Sequence, residues 1–200
     1  MFFITESDEY PNGYVVLSTA SQWENWLRRN IPGTLDNEVQ RRLTSNLKHI
    51  IVGLEMKAAL INPHAQRGGN EHSLLFESYF QNLIQEFCVG AFSVLEGLGS
   101  AHWLHQNGQD GAVAPRISRD NWRPALCSAY DADGEYDLNN AIERTTAVRD
   151  LLHQDRLGAR ENIDWHAFSY DEAFLPASSA ISTLLRCDSE HVPETTNLNK

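Results

Sequence analysis

The sequence has little of what builds disulfide-bonded, metal-bound or membrane-spanning proteins. Its 200 residues include only three cysteines, Cys88, Cys127 and Cys187. An odd number without C-x-x-C spacing is neither a disulfide framework nor a zinc knuckle, so we expect buried, small apolar residues in a reducing compartment. No apolar run approaches the roughly 18 residues of a membrane span. Twelve glycines and seven prolines are too few for a collagen-like or low-complexity chain.

Export signals are also missing from the first residues. The segment 1–8 has no basic residue before its short apolar run. Glu6 and Asp8 follow that run too soon for the apolar core of a signal peptide. The sequence therefore predicts a cytoplasmic protein without membrane association.

Basic residues are the minority among the charged ones. The chain has 16 lysines and arginines against 27 aspartates and glutamates, which gives a formal net charge of -11. This charge repels phosphate backbones on average, so it disfavours non-specific nucleic-acid binding and leaves only a local basic patch open. Hydrophobic residues make up 42%, close to the globular average, and a chain of this length buries roughly 70% of its unfolded surface.

What the sequence does contain is helical periodicity, with neither a β-α-β pattern nor an internal repeat. Apolar residues recur at steps of three and four, which predicts a mainly α fold, an up-and-down helical bundle. The chain divides into an N-terminal β-arm and short helix (1–33), a helical bundle domain (34–187) and a tail (188–200). The tail has almost no apolar residues, so it is expected to be disordered.

Residues 2–19 are typical of a short β-hairpin or an extended arm. Two apolar runs flank Asn12-Gly13, a dipeptide that supplies the positive φ angles of a tight turn. Two strands alone are marginally stable, so this arm needs a packing partner. Ser21 is expected to cap a short helix over 22–29.

Long helices are predicted in the first half of the bundle domain. One apolar stripe follows Thr34 or Asp36 as the N-cap and ends at Asn62-Pro63. The segment 72–105 is the most apolar of the chain and is expected to be the central helix or part of a subunit interface. Shorter helices are predicted over 122–130, from Asp137 as the N-cap to about residue 152, and from Asp171 as the N-cap to about Arg186.

Glycines mark two features of this half of the chain. Gly90, Gly97 and Gly99 lie inside the central apolar segment, where they weaken a helix and indicate close helix packing or a kink. The following segment, 106–119, is a glycine-rich polar loop of about a dozen residues. Loops of this length are uncommon unless they are functional or mobile.

The candidate chemistry lies at the end of the helix that begins after Asp137. Arg149 and His153 are four residues apart, so on a helix they share one face. An arginine can hold a phosphate through several N–H donors, and a histidine can move a proton near neutral pH. Metal-independent RNA cleavage needs both abilities. The alternative is an arginine paired with Asp150 and a histidine stabilised by the helix dipole.

The order of these features resembles the HEPN superfamily of helical domains, many of which are ribonucleases in toxin–antitoxin, antiviral and RNA-processing systems. The resemblance covers roughly residues 38–186. The family signature is an arginine, a polar follower and a histidine after four to six intervening residues. Arg149, Asp150 and His153 would fill these positions, although only three residues separate Arg149 from His153, and one missing residue rotates the histidine by about 100°.

The resemblance implies a homodimer whose two arginine–histidine pairs share one cleft, and it implies no metal and no cofactor. His153 would be the general acid or base, Arg149 would stabilise the phosphoryl charge and Asp150 would orient one of them. The products would be a 2′,3′-cyclic phosphate and a 5′-hydroxyl. Arg144, Arg156 and Arg160 concentrate positive charge around the motif and are weaker candidates for RNA binding.

Two further functions stay open at this point. The first is the same helical dimer without catalysis, acting as a protein-interaction module of a defence or toxin–antitoxin system. The second is a helical bundle that binds a small ligand or a metal, for which His102 and His105 have a suitable spacing. The acidic segment 131–137 has its glycine at the fourth instead of the sixth position of a calcium loop, so it is expected to be a plain turn.

Overall fold

The fold is a bundle of α-helices, seen in a computed structural model that describes residues 2–3, 14–66, 78–113, 116–151 and 164–199. None of the helices within these ranges has the length and hydropathy of a membrane span. The helices of the described residues confirm the predicted helical bundle. The helices are α1 (Ala20–Asn30), α2 (Asn37–Gln66), α3 (Ser78–Gln106), α4 (Arg119–Tyr130), α5 (Leu138–Asp150) and α6 (Leu175–Arg186).

Two short strands precede the helices. β1 (Phe2–Phe3) pairs antiparallel with β2 (Tyr14–Val15), and Phe2 lies opposite Val15. The Asn12-Gly13 turn that was predicted between them lies outside the described residues.

Helix α1 begins two residues before the position expected from the sequence. Thr19, not Ser21, is the N-cap, and its hydroxyl accepts a hydrogen bond from the Gln22 backbone N–H. The Gln22 side chain accepts the Thr19 N–H at 2.8 Å in return. This reciprocal capping box satisfies two N-terminal backbone donors. Both hydroxyls suit a cap, so the glutamine three residues after Thr19 was the informative signal.

Helix α2 has one of its two predicted caps but a different end. The Asp36 carboxylate accepts the N–H groups of Glu38 (2.9 Å) and Val39 (3.3 Å), so Asp36 is the cap. The helix continues to Gln66, so the predicted stop at Asn62-Pro63 is wrong. A proline removes one backbone hydrogen bond from a helix, and the tertiary context of a long helix can override that local preference.

Helix α3 is the central element, as its broad apolar surface predicted, and it packs against α2, α4, α5 and α6. Its glycines are points of close approach. A Cβ at Gly90 would lie 2.9 Å from Leu54, one at Gly97 would lie 3.0 Å from Leu47, and one at Gly99 would lie 2.8 Å from Trp122. The close helix packing expected from these glycines is confirmed.

The acidic segment between α4 and α5 forms a turn that caps α5. The Asp131 carboxylate accepts the N–H groups of Tyr136 (3.0 Å) and Leu138 (2.9 Å). Asp137 occupies the N-cap position, but its φ is 51° and its side chain makes no capping hydrogen bond. The predicted cap was therefore the wrong aspartate, because the chain folds back and presents Asp131 to the helix end.

Helix α6 is preceded by a π-helical turn, Tyr170–Phe174. Ser169, not Asp171, caps this turn, since its hydroxyl accepts the Glu172 N–H at 3.2 Å. Pro176 is the second residue of α6, where its missing N–H needs no partner inside the helix.

The tail that was predicted to be disordered is packed on the bundle over 188–199. Leu198 is only 1% exposed. The Asn197 amide donates to the Val16 carbonyl at 3.4 Å, and His191 Nδ1 lies 2.6 Å from Asp188 Oδ1. The prediction of disorder from composition was wrong, because one buried leucine and hydrogen-bonded polar groups are enough to hold a short segment to a large core.

Cysteines were expected to be buried, and Cys88 is. Burial raises the pKa of its thiol to about 12, which leaves it uncharged at neutral pH. Cys187 is exposed and Cys127 is half-buried, so the expectation is wrong for Cys187. Its thiol donates to the Tyr130 carbonyl at 3.1 Å, which gives it a polar partner at the surface.

A buried carboxylate joins the segment before α1 to α2, and the tail contacts the same segment. Glu55 on α2 is 0% exposed. Its oxygens accept the Ser18 N–H (3.1 Å), the Ser18 hydroxyl (2.8 Å) and the Trp23 indole N–H (2.8 Å). The Ser18 hydroxyl also lies 3.2 Å from the Thr195 hydroxyl. A buried carboxylate is tolerated only when it is hydrogen-bonded in this way.

We expect Trp23→Phe to lower the free energy of unfolding by about 1.5–3 kcal/mol, because it removes a hydrogen bond to a buried charge. Guanidinium chloride unfolding measures this as a lower midpoint with an unchanged slope. Trp165→Phe is the matched control, since that indole is 38% exposed and has no hydrogen-bond partner within the described residues. Equal midpoints for the two variants would contradict the role of Glu55.

We expect Gly99→Ala to destabilise the protein by about 1–3 kcal/mol, because the new methyl group overlaps Trp122. Its Cβ would meet both the indole and the backbone oxygen of Trp122 at 2.8 Å. Gly53→Ala in α2 is the control. Its Cβ would have only the Lys57 Nζ at 3.8 Å nearby, so better helix propensity should raise stability by about 0.5–1 kcal/mol. A thermal unfolding series checks both signs, and a stabilising Gly99→Ala would refute the close contact.

Candidate anion-binding site

Three arginines line one cavity of about 320 Å³ at the meeting point of α3, α4 and α5. Arg149 comes from the last turn of α5 and Arg119 from the first residue of α4. Arg116 belongs to the loop that leads into α4. The cavity is therefore built from residues distant in sequence. Its other lining residues are Phe92, Glu96, Ile117, Ser118 and Trp122.

Phe92 is the floor of this cavity. The guanidinium carbon of Arg149 lies 4.8 Å from the centre of the Phe92 ring, and that of Arg119 lies 5.7 Å from it. Both distances are within the range of cation–π attraction. Trp122 meets the same ring edge-to-face, with the ring centres 5.8 Å apart. The aromatic pair positions two guanidinium groups and is itself covered, since Phe92 is 5% and Trp122 1% exposed.

Asp150 joins the same two arginines. Its oxygens accept Arg149 Nη1 at 2.8 Å and Arg119 Nη2 at 3.2 Å. Burial alone would raise the pKa of this carboxyl, but the hydrogen bonds and charges of Arg149 and Arg119 outweigh burial and lower it. Asp150 is therefore ionised at neutral pH. It fixes the two guanidinium groups while each keeps further N–H donors, because an arginine has five.

Arg116 completes the positive side of the site. Its side chain is exposed and makes no hydrogen bond or ion pair within the described residues. Glu96 lies on the cavity wall, and Asp150 pairs with two of the three arginines. Three guanidinium groups against two carboxylates leave an excess of one positive charge. In a chain of charge -11, such a cluster can hold a singly charged oxyanion through charge-assisted hydrogen bonds.

The structure places only part of the predicted motif. It brings Arg149 and Asp150 together at the cavity, whereas His153, Arg156 and Arg160 lie outside the described residues. Arg144 is not in this cavity. Its guanidinium pairs with Glu172 at 2.8 Å and lines a separate cavity.

Arg116 and Arg119 were missed by sequence reasoning. Arg119 was counted as the end of a polar loop, and Arg116 belonged to the same loop. The signal was the length of that loop, which marked it as functional or mobile. Nothing in the spacing connects it to Arg149, which is 30 residues after Arg119.

The histidines considered for metal binding have other surroundings. His105 Nδ1 lies 2.8 Å from the Thr34 hydroxyl. His102 packs edge-to-face on Tyr130, and burial lowers its pKa. The described part of the chain contains no group of three histidine, cysteine, aspartate or glutamate side chains that could hold a metal ion.

We expect Asp150→Asn to lower the urea midpoint at pH 7, with a difference from wild type that shrinks below about pH 4. A carboxyl whose folded pKa is lowered stabilises the fold above its ordinary pKa, near 4, and loses that contribution as the pH falls through the folded value. Asparagine does not titrate, so the two proteins converge in acid. Asp133→Asn, in the exposed turn before α5, should show no such difference. A pH-independent difference for Asp150→Asn would contradict the ion pairs.

Comparisons with known proteins place this site in no established group. No protein-family model, curated protein or solved structure matches the chain. The argument for function therefore starts from the three arginines and the carboxylate that joins two of them.

Proposed function

We propose that the protein binds an RNA strand by its phosphate backbone and cleaves it without metal, as a homodimer of the HEPN-like type. The observation that supports this proposal is the convergence of Arg116, Arg119 and Arg149 on one cavity. Phosphodiesters carry one negative charge each, which matches the excess of one positive charge at the site. Arginine suits the task because its planar N–H groups meet phosphate oxygens two at a time.

In this proposal the cleavage step is an internal transfer. The 2′-hydroxyl loses its proton to a general base and attacks the adjacent phosphorus, and the bond from phosphorus to the 5′-oxygen breaks. The leaving 5′-oxygen takes up a proton, so the products are a 2′,3′-cyclic phosphate and a 5′-hydroxyl. Arg149 stabilises the charge on the phosphoryl oxygens, and His153 moves one of the protons.

Asp150 has a positioning role in the same proposal. Its two hydrogen bonds hold Arg119 and Arg149 over Phe92. A positioned guanidinium loses less conformational freedom when it binds an anion than a free one does. The contact between α4 and α5 at Asp150 thus prepares the cavity for a phosphate.

A single-stranded RNA labelled at its 5′ end, incubated in excess chelator, tests this function. We expect Arg149→Gln to slow cleavage by about 10²–10³-fold and His153→Ala by about 10²–10⁴-fold. Arg29→Gln is the matched control, because Arg29 is exposed on α1 and has no partner within the described residues.

Two results would overturn the cleavage mechanism. One is an unchanged rate for Arg149→Gln or His153→Ala. The other is equal cleavage of a DNA strand of the same sequence, since DNA has no 2′-hydroxyl to attack.

A non-catalytic helical dimer that acts as a protein-interaction module is the second candidate. The observation that favours it is that Asp150 already neutralises Arg119 and Arg149 in part, in a chain with 27 acidic residues. The same assay separates the two candidates. An intact strand, together with no RNA binding at low salt, favours the interaction module over the nuclease.

A further inference from the structure

A second cavity lies at the N-terminal end of α3. It has a volume of about 490 Å³ and is lined by Ser78, Tyr79, Asn82 and Trp165. Tyr79 is 63% and Trp165 38% exposed. Tyr79 and Trp165 are the two aromatic residues among the exposed large apolar side chains of the described residues. Exposed aromatic side chains that share a cavity with polar groups are typical of a binding site.

Both rings are held in place although they face solvent. Tyr79 packs edge-to-face against Phe80, with the ring centres 5.3 Å apart. Trp165 lies on the buried Phe168, with the ring centres 5.2 Å apart. The short turn that carries Trp165 is capped by Asp164, which accepts the His166 N–H at 3.0 Å. The cavity therefore presents two positioned aromatic faces to a ligand.

Ser78 in the aromatic cavity and Glu96 in the arginine cavity lie on the same side of α3, whereas Tyr79 lies about 100° around the helix from Glu96. Eighteen residues separate Ser78 from Glu96, which is five full helical turns and about 27 Å along the axis. Asn82 is about 40° from the same line and about 21 Å away from Glu96. A groove between α2 and α3 is lined by residues that include Gln85, Glu86, Val89, Ser93, His49 and Lys57, and its α3 residues lie between Asn82 and Glu96 in the sequence.

Positive charge is in excess in the arginine cavity and not along this groove. In the middle, Lys57 pairs with Glu86 at 3.4 Å, which leaves no excess of positive charge there. The arginine cavity supplies the cationic end, whereas the four described residues that line the aromatic cavity carry no charge. A ligand that occupies both the arginine cavity and the aromatic cavity carries a negative group and, about 20–27 Å away, a flat uncharged ring.

We propose that Tyr79 and Trp165 form a base-stacking subsite for the RNA strand whose phosphate lies among the three arginines. This inference rests on the proposed function. A base has a π face for the aromatic rings and polar edges for the Asn82 amide and the Ser78 hydroxyl. The arginine cavity cannot stack a base, because Phe92 is covered by its own arginines. The strand is thus held by backbone at one end and by a base at the other.

Fluorescence anisotropy with uncleavable 2′-O-methyl strands tests this subsite. The probes are a dinucleotide, a strand of about eight nucleotides, which is within the site sizes of single-strand binders, and the same longer strand without bases. We expect Tyr79→Ala and Trp165→Ala each to weaken binding of the longer strand roughly 5- to 150-fold. Binding of the dinucleotide and of the strand without bases should not change.

Control variants separate stacking from folding. Tyr79→Phe keeps the ring and should bind like wild type. Leu175→Ala removes an exposed apolar side chain from a different cavity and should also have no effect. Circular dichroism confirms that each variant is folded.

The results distinguish the failure of this subsite from the failure of the proposed function. An unchanged affinity of Tyr79→Ala and Trp165→Ala for the longer strand overturns the subsite, while loss of binding in Arg149→Gln would still support the arginine site. Equal weakening for the strand without bases also overturns base stacking. If no strand binds the wild-type protein, the proposed function fails and the subsite fails with it.

Discussion

The buried carboxylate of Glu55 is the constraint on which the closure of the bundle depends. A charge without access to water requires hydrogen-bond donors, and Ser18 and Trp23 supply three of them. These donors come from the segment before α1 and from α1 itself, and Thr195 joins them from the tail. One side chain on α2 thus holds the segment before α1, and the tail joins it through Ser18.

The helices themselves could be predicted from the sequence, because their signal is periodic and local. The stripe of apolar residues on α2 and the broad apolar surface of α3 gave the two longest elements, and the glycines of α3 gave its close contacts. The errors lie at helix ends. Thr19 and Ser21 are both good caps, and Asp131 caps α5 from six residues before the predicted Asp137. Such choices depend on how the chain folds back, which a local pattern does not contain.

The candidate site was predictable only where it is local. Arg149 and Asp150 are adjacent, so their pairing followed from the sequence. Arg119 reaches the same carboxylate from another helix, and the sequence gives no sign of that contact. The aromatic cavity shows the same limit, since Tyr79 and Trp165 are 86 residues apart. Only its exposure in the fold separates Trp165 from the buried tryptophans.

The close contact between Gly99 and Trp122 has a consequence for ligand recognition. Arg119 begins the helix that carries Trp122, and Phe92 lies two turns before Gly99 on α3. The absence of a side chain at Gly99 therefore sets how far one guanidinium stands from the ring beneath it. The hydrogen atom of Gly99, on the same side of α3 as Phe92, allows this close approach of Trp122. The geometry of the arginine cavity is in this way tied to a residue that does not line it.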